Sequence, residues 1–164
     1  FFQFLGRGYL FGIPFPILIM LVAFSIWYVV LHKTAFGRKT YALGGNERAA
    51  FIAGVNTKKT TLLIYTISGA MAALAGIILT SRLSSAQPDA GTSYEMDAIA
   101  SIVIGGTSLA GGKGRMSGTL IGALIIGTLN NGMNLLGISS FYQQIVKGIV
   151  ILIAVLIDRK KEKA

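Results

Sequence analysis

Few side chains of this chain could act as acids, bases, nucleophiles or metal ligands. It contains one histidine, six acidic residues and no cysteine. His32 follows a long apolar run, where an imidazole is more typical of an interfacial anchor or of a partner for helix C-terminal carbonyls than of a proton relay. The five apolar segments contain no carboxylate at their centres, which argues against coupling to protons or sodium through a buried acid. The sequence therefore predicts no catalytic residue and no metal site.

A glycine cluster between Gly105 and Arg115 superficially resembles a phosphate-binding loop. Thr107 stands where that motif requires its first glycine, and Gly114 rather than Ser or Thr follows Lys113. No predicted strand precedes the cluster either. The sequence favours a tight turn whose basic residues face lipid headgroups, and any nucleotide would then be bound by another chain.

Three asparagines, Asn130, Asn131 and Asn134, interrupt the fourth apolar run. Asn130 and Asn134 are four residues apart and share one face of a helix. Two interpretations stay open. The amides could line a weakly polar, uncharged conduit, or they could form interhelical hydrogen bonds worth roughly 1 kcal/mol or less each in a membrane.

The elements that hold these residues follow from composition. Of 164 residues, 53% are hydrophobic and only 13% are charged, and the mean hydropathy is +0.68. A soluble domain has about 25% charged residues, and a disordered chain is poor in apolar ones. The net charge of +9 could suggest nucleic acid, but the basic residues flank apolar runs, as they do in membrane proteins. We expect membrane lipid, and no nucleic acid, as a partner.

Long uncharged runs predict an all-α integral membrane protein, a polytopic bundle of about five membrane helices. We assign the whole chain, residues 1–164, to one transmembrane domain. Because the chain begins without Met, we expect it to be the C-terminal part of that domain. A cytoplasmic loop is predicted at 33–59. The helices are predicted near 13–31, 61–81, 97–109, 116–136 and 143–157, the third of them short or broken.

The basic residues indicate the orientation of this bundle. With the C-terminus in the cytoplasm and five crossings, the outer side keeps only Arg7, Arg82 and Lys147. The other twelve lie inside, as the positive-inside rule requires. They are Lys33, Arg38, Lys39, Arg48, Lys58, Lys59, Lys113, Arg115, Arg159, Lys160, Lys161 and Lys163.

Small residues at helical spacing predict close helix packing. Gly118 and Gly122 form a G-x-x-x-G pair, and Gly69 and Gly76 belong to overlapping small-residue pairs with Ala73 and Ala72. Such faces let helix backbones approach where lipid supplies no hydrophobic drive. Packing inside one bundle is the simpler interpretation, with dimerisation the alternative.

The loop at 33–59 contains a short predicted helix between Asn46 and Gly54. Asn46 suits the N-cap, Glu47 the positive end of the helix, and Gly54 the C-terminal stop. Ala49, Ala50 and Ala53 share a small-residue face, flanked by Phe51 and Ile52. Such a helix could dock into a groove of a partner protein, or it could lie on the bilayer surface.

At these residues the chain resembles a known family. Glu47 and Ala49-Ala50 followed by Gly54 resemble the coupling loop of binding-protein-dependent ABC permeases, with Arg48 inserted as in the ribose-type (monosaccharide) branch. Further motifs of that branch cover nearly the whole chain. They are Tyr41–Ala50, Ser85–Pro88, Ile104–Leu109, Gly111–Gly114, Asn130–Gly132, Phe141–Gln144 and Val146–Gly148.

This resemblance implies a multi-pass permease subunit of the bacterial inner membrane that imports ribose or a related monosaccharide. It implies three protein partners: an ATP-binding subunit, a periplasmic or lipid-anchored sugar-binding protein and a second copy of the permease. The coupling residues would be Asn46, Glu47, Arg48, Ala49, Ala50 and Gly54. ATP and Mg would be bound by the partner ATPase and no cofactor by this chain.

Alternatives from other classes stay open. One is half of a gradient-driven carrier or channel for a small polar solute, which ATP-independent uptake would indicate. Another is a membrane scaffold that transports nothing. On the outer side, Gln87, Asp89, Glu95 and Asp97 could meet a binding protein or could simply be solvated loop residues.

Overall fold

The structure is a computed structural model that describes the backbone of residues 2–162 and the side chains of residues 2–156. The charged side chains of Arg159, Lys160, Lys161 and Lys163, used above for orientation, lie outside the described residues. Apart from one short hairpin, the regular secondary structure of the described residues is helical. In chain order its elements are α1 (Phe2–Arg7), β1 (Tyr9–Leu10), β2 (Ile13–Pro14), α2 (Phe15–Lys33), α3 (Ala35–Gly45), α4 (Glu47–Ile52), α5 (Thr57–Leu83), α6 (Tyr94–Ile104), α7 (Met116–Leu135) and α8 (Ser140–Glu162).

Two of these helices are long and apolar enough to cross a bilayer. α2 has 19 residues and α5 has 27, and the best window of each has a mean hydropathy of 2.2. Both expose large apolar side chains such as Val22, Ile26 and Leu62, as helices in contact with lipid do. By length and composition, α2 and α5 are candidate membrane spans.

The chain divides into two compact units, the first ending at Gly91 and the second beginning at Thr92. In the first unit, α1 packs against the end of α5. A Cβ at Gly6 would collide with the backbone of Ser81 and Arg82, so only glycine permits this approach. The Ser81 hydroxyl donates to the Phe2 carbonyl, and Arg7 Nε donates to the Arg82 carbonyl at 2.9 Å.

A hairpin and a bend shape the rest of the first unit. Strands β1 and β2 pair antiparallel around Phe11 and Gly12, both with positive φ, as a two-residue hairpin turn requires. Strand β2 occupies residues 13 and 14, so α2 begins two residues later than predicted. At the C-terminal end of α2, Thr34 is the N-cap of α3, and Thr34 Oγ1 accepts a hydrogen bond from Gly37 N at 3.4 Å.

The predicted cytoplasmic loop is largely helical. α3 occupies 35–45, where the sequence analysis predicts no helix. A Cβ at Gly37 would strike the backbone of Leu31, so glycine lets α3 fold back against the end of α2. α3 contains Gly37, Gly44 and Gly45, and glycine has a low intrinsic helix propensity. The sequence pattern therefore does not indicate a helix here.

In the second unit, α6 packs on both α7 and α8. Ala100, Val103, Ile126 and Met133 are buried there. α6 begins at Tyr94 and ends at Ile104, so the predicted end at 109 is wrong. Gly105 and Gly106 stop the helix, and Gly106 has a φ of +80°.

The glycine pairs behave differently in the two units. A Cβ at Gly118 would collide with the Gly105 carbonyl and one at Gly122 with the Ser101 carbonyl, so α7 approaches α6 as closely as the G-x-x-x-G pair predicts. A Cβ at Gly69 or Gly76 would meet no described atom within 4 Å. Close packing at those two glycines therefore stays a prediction.

Candidate functional site

The short helix α4 is fixed at both ends by the residues that the sequence indicates. Asn46 is its N-cap, and Asn46 Oδ1 accepts a hydrogen bond from Ala49 N at 3.0 Å. At the other end Gly54 N donates to the Phe51 carbonyl at 2.9 Å and Val55 N to the Ala50 carbonyl at 3.0 Å. This is a Schellman motif, and the φ of +83° at Gly54 is the left-handed conformation it needs.

The surface of α4 differs from the predicted small-residue face. Ala50 is only 3% exposed, so it packs inside the chain, whereas Ala53 of the predicted small-residue face is exposed. Phe51 and Ile52 are 68% and 84% exposed, and Glu47, Arg48 and Ala49 are exposed as well. The correction follows from helix geometry, since one face of α4 must pack on α3 and α5. The available surface is thus an apolar pair beside one acid and one base.

A second group of polar residues joins the three helices of the second unit. Lys147 Nζ of α8 lies 2.6 Å from Asp97 Oδ1 of α6, and the two side chains are only 11% and 20% exposed. Asn130 Nδ2 of α7 donates to the other carboxylate oxygen, Asp97 Oδ2, at 3.0 Å. Asn130 Oδ1 is buried without a hydrogen-bond partner in the described residues. We call Asp97, Asn130 and Lys147 the polar triad.

The polar triad corrects two expectations. Asp97 is not a solvated residue of an outer loop, because α6 begins at Tyr94 and its first turn carries Asp97 against α8. The Asp97 side chain is only 20% exposed and lies at the N-terminal end of α6, outside the helix centres that the sequence predicts to hold no carboxylate. Lys147 is likewise not a simple flanking charge. Burial of these two charges is tolerable because each neutralises the other.

The three asparagines have separate environments. Asn130 belongs to the polar triad, which matches the interhelical hydrogen-bonding interpretation. Asn134 Oδ1 accepts from Gln143 Nε2 at 2.8 Å, and Asn131 is exposed. A shared conduit surface formed by all three is not visible in these contacts and stays a prediction.

Polar contacts continue along the α6–α8 interface. Gln144 Nε2 donates to Ser93 Oγ at 3.1 Å. Gln144 lies three residues before Lys147, nearly one turn away on the same side of α8. Sequence inspection missed this interface because its partners are about fifty residues apart, and a single sequence carries no signal of such pairing.

The other suspected sites show local structure only. Gly106, Gly111 and Gly112 have positive φ, and Ser108 N donates to the Lys113 carbonyl at 3.0 Å, which makes the segment a glycine-rich turn. His32 Nδ1 lies 3.0 Å from the Tyr28 carbonyl oxygen of its own helix. No group of three or more potential metal ligands occurs within the described residues.

Comparison with known proteins gives the family. Residues 1–155 match the family described as branched-chain amino acid transport system / permease component. The ribose import permease protein RbsC of Bacillus subtilis (strain 168) is 67% identical over 160 residues, which are 98% of this chain and 50% of that protein. RbsC of Escherichia coli (strain K12) is 58% identical over 161 residues, 98% of this chain and 50% of that protein.

Permeases named for other sugars are also similar. The L-arabinose transport system permease protein AraH of Escherichia coli (strain K12) is 48% identical over 160 residues, 98% of this chain and 49% of that protein. The chain thus spans about half the length of these curated relatives. No solved structure matches it significantly. From the match to residues 1–155, the chain belongs to the branched-chain amino acid transport system / permease component family of membrane proteins.

Proposed function

We propose that this chain is part of the permease subunit of an ATP-driven importer for ribose or a related monosaccharide. Support comes from the family match and from the identity of 58–67% to proteins named ribose import permease. The single structural observation that carries the proposal is α4, a helix capped at both ends that exposes Phe51 and Ile52 in the segment of chain between the apolar helices α2 and α5.

In the proposed mechanism α4 transmits motion from a partner. An ATP-binding subunit, which holds the ATP and Mg, takes the exposed surface of α4 into a groove. Because α4 packs on α3 and α5, displacement of α4 would tilt α5 and so alter the access of the pathway. A sugar-binding protein would deliver the substrate on the other side, and a second permease copy would complete the pathway.

The proposed topology counts α2, α5, α6, α7 and α8 as membrane helices, with the C-terminus cytoplasmic. α7 has 20 residues, which is about the length that crosses a bilayer. α6 has only 11 residues, so it crosses as a short segment followed by the turn at Gly105. This arrangement puts α4 on the cytoplasmic side, where an ATPase could reach it.

The polar triad favours a second candidate function, half of a gradient-driven carrier. Buried acids and bases at membrane depth are typical of such carriers. In this chain, however, Asp97 and Lys147 neutralise one another, which leaves no unpaired charge in the triad to bind a coupling ion.

Uptake of labelled ribose by cells with the full-length parent protein separates these functions. Under the import proposal, uptake stops when ATP is depleted at constant membrane potential and continues when an uncoupler acts at constant ATP. The opposite pattern would establish the gradient-driven carrier and reject the ATP-driven importer.

A further inference from the structure

A small pocket with a mostly apolar lining and a few polar groups lies between α6 and α8 beside the polar triad. Its volume is about 160 Å³, and Ser93, Glu95, Gln144 and Lys147 line it together with apolar Met96 and Ile151. At liquid density this space corresponds to roughly five water molecules. It is the size class of one sugar ring and too small for a disaccharide or a peptide.

The polar groups of the pocket include both donors and acceptors. The Glu95 carboxylate only accepts hydrogen bonds, the Lys147 ammonium only donates them, and the Ser93 hydroxyl and the Gln144 amide do both. Gln144 Nε2 already donates to Ser93 Oγ, so the Gln144 carbonyl oxygen stays available to accept. The Lys147 ammonium carries three N–H donors and pairs by charge with Asp97 Oδ1 at 2.6 Å, so its donors can also serve the pocket that Lys147 lines.

The balance of charge argues against an ionic ligand. Lys147 is neutralised by Asp97 at 2.6 Å, so it offers hydrogen-bond donors without a large net attraction for anions. The remaining charge, Glu95, is exposed to solvent. Mixed donors and acceptors with little net charge, beside the apolar side chains of Met96 and Ile151, suit a neutral molecule that carries both hydroxyl groups and C–H faces.

We propose that this pocket is a subsite for a single sugar ring, with Gln144, Ser93 and Lys147 bound to its hydroxyl groups and Asp97 holding Lys147 in position. The inference rests on the proposed function and deepens it by assigning residues to the passing substrate. Residues 93 and 95 lie at the N-terminal end of α6 and 144 and 147 in the first two turns of α8. In the proposed topology these are the outer ends of both helices, so the subsite is the first that an incoming sugar meets.

The test measures weak binding of D-ribose directly. Full-length parent permease, assembled with its ATP-binding subunit in lipid nanodiscs, is titrated with D-ribose and followed by saturation-transfer difference NMR. Gln144→Leu and Ser93→Ala should each weaken the ribose affinity at least about fivefold, since each removes a hydrogen-bonding group from the ligand's surroundings. Sucrose should give no signal that depends on Gln144.

Gln143→Leu is the matched control, because Gln143 neighbours Gln144 but bonds to Asn134 and the Ile138 carbonyl instead of lining the pocket. Its ribose affinity should equal that of the wild type. Unchanged ribose affinity in both pocket variants, or no ribose signal from a wild-type complex that imports ribose, would overturn the subsite and leave the importer proposal intact. A complex without ATP-dependent ribose import would overturn both.

Discussion

The ion pair between Asp97 and Lys147 should be visible in the stability of the parent protein. Asp97→Asn or Lys147→Met alone leaves a buried charge without its partner and should reduce the free energy of unfolding by about 3 kcal/mol. The double variant removes both charges and should recover most of that loss. Thermal unfolding of the full-length protein in detergent measures the effect.

Glu47→Gln is the control for these variants, because Glu47 is an exposed carboxylate and its replacement should leave the midpoint unchanged. A double variant no more stable than the single variants would show that the two charges do not stabilise one another.

The N-cap of α4 gives a second prediction at the scale of residues. Asn46→Ala removes the acceptor for Ala49 N and should destabilise α4 by about 1 kcal/mol, whereas Asn46→Asp keeps an acceptor and should not. Hydrogen exchange at the amides of residues 49–52 should accelerate roughly fivefold in the alanine variant only. Equal exchange in all three proteins would mean that the cap does not hold the helix.

At the scale of elements, two glycines of α7 distinguish the effect of close helix packing from the effect of helix propensity. Gly122→Ala puts a Cβ against the Ser101 carbonyl and should cost about 1–3 kcal/mol, as overpacking does. Gly127→Ala lies in the same helix, where a Cβ would meet no described atom within 4 Å outside its own helix backbone, and should be neutral or slightly stabilising. Thermal unfolding of the two full-length variants compares them, and equal midpoints would contradict the close α6–α7 packing.

The elements also show how far the sequence could be read. The caps of α4 were predictable because they depend on residues close together in the chain, and the pair Gly118 and Gly122 was recognisable from its four-residue spacing. α3 was not predictable, because its glycines lower its helix propensity. The helix depends instead on the close approach of Gly37 to Leu31. The contact between Asp97 and Lys147 was not predictable either, because each residue alone resembles an ordinary charge at a helix end.

At the scale of the whole molecule, the proposed topology puts the two ends of α5 on opposite sides of the membrane. This chain contains no cysteine, so Ala53→Cys and Ser85→Cys each introduce a single reporter into it. In a cysteine-free full-length parent, a membrane-impermeant maleimide should label Ser85→Cys in intact spheroplasts and Ala53→Cys only after permeabilisation. Labelling of both from outside would contradict the orientation.

The exposed surface of α4 is proposed to bind an ATP-hydrolysing subunit. Affinity capture of the full-length parent protein from native membranes tests it most directly, with wild type compared to Glu47→Lys/Ile52→Asp. These positions are exposed, unlike Ala50, so the changes alter the docking surface without disturbing the interior. Lys39→Glu, an exposed charge reversal on α3, is the control.

We expect an ATPase to co-purify with the wild type and with Lys39→Glu, and to be lost from the double variant although that variant inserts at the same level. Equal recovery of the ATPase with the double variant, or capture of no ATPase by the wild type at any nucleotide concentration, would contradict the coupling role of α4.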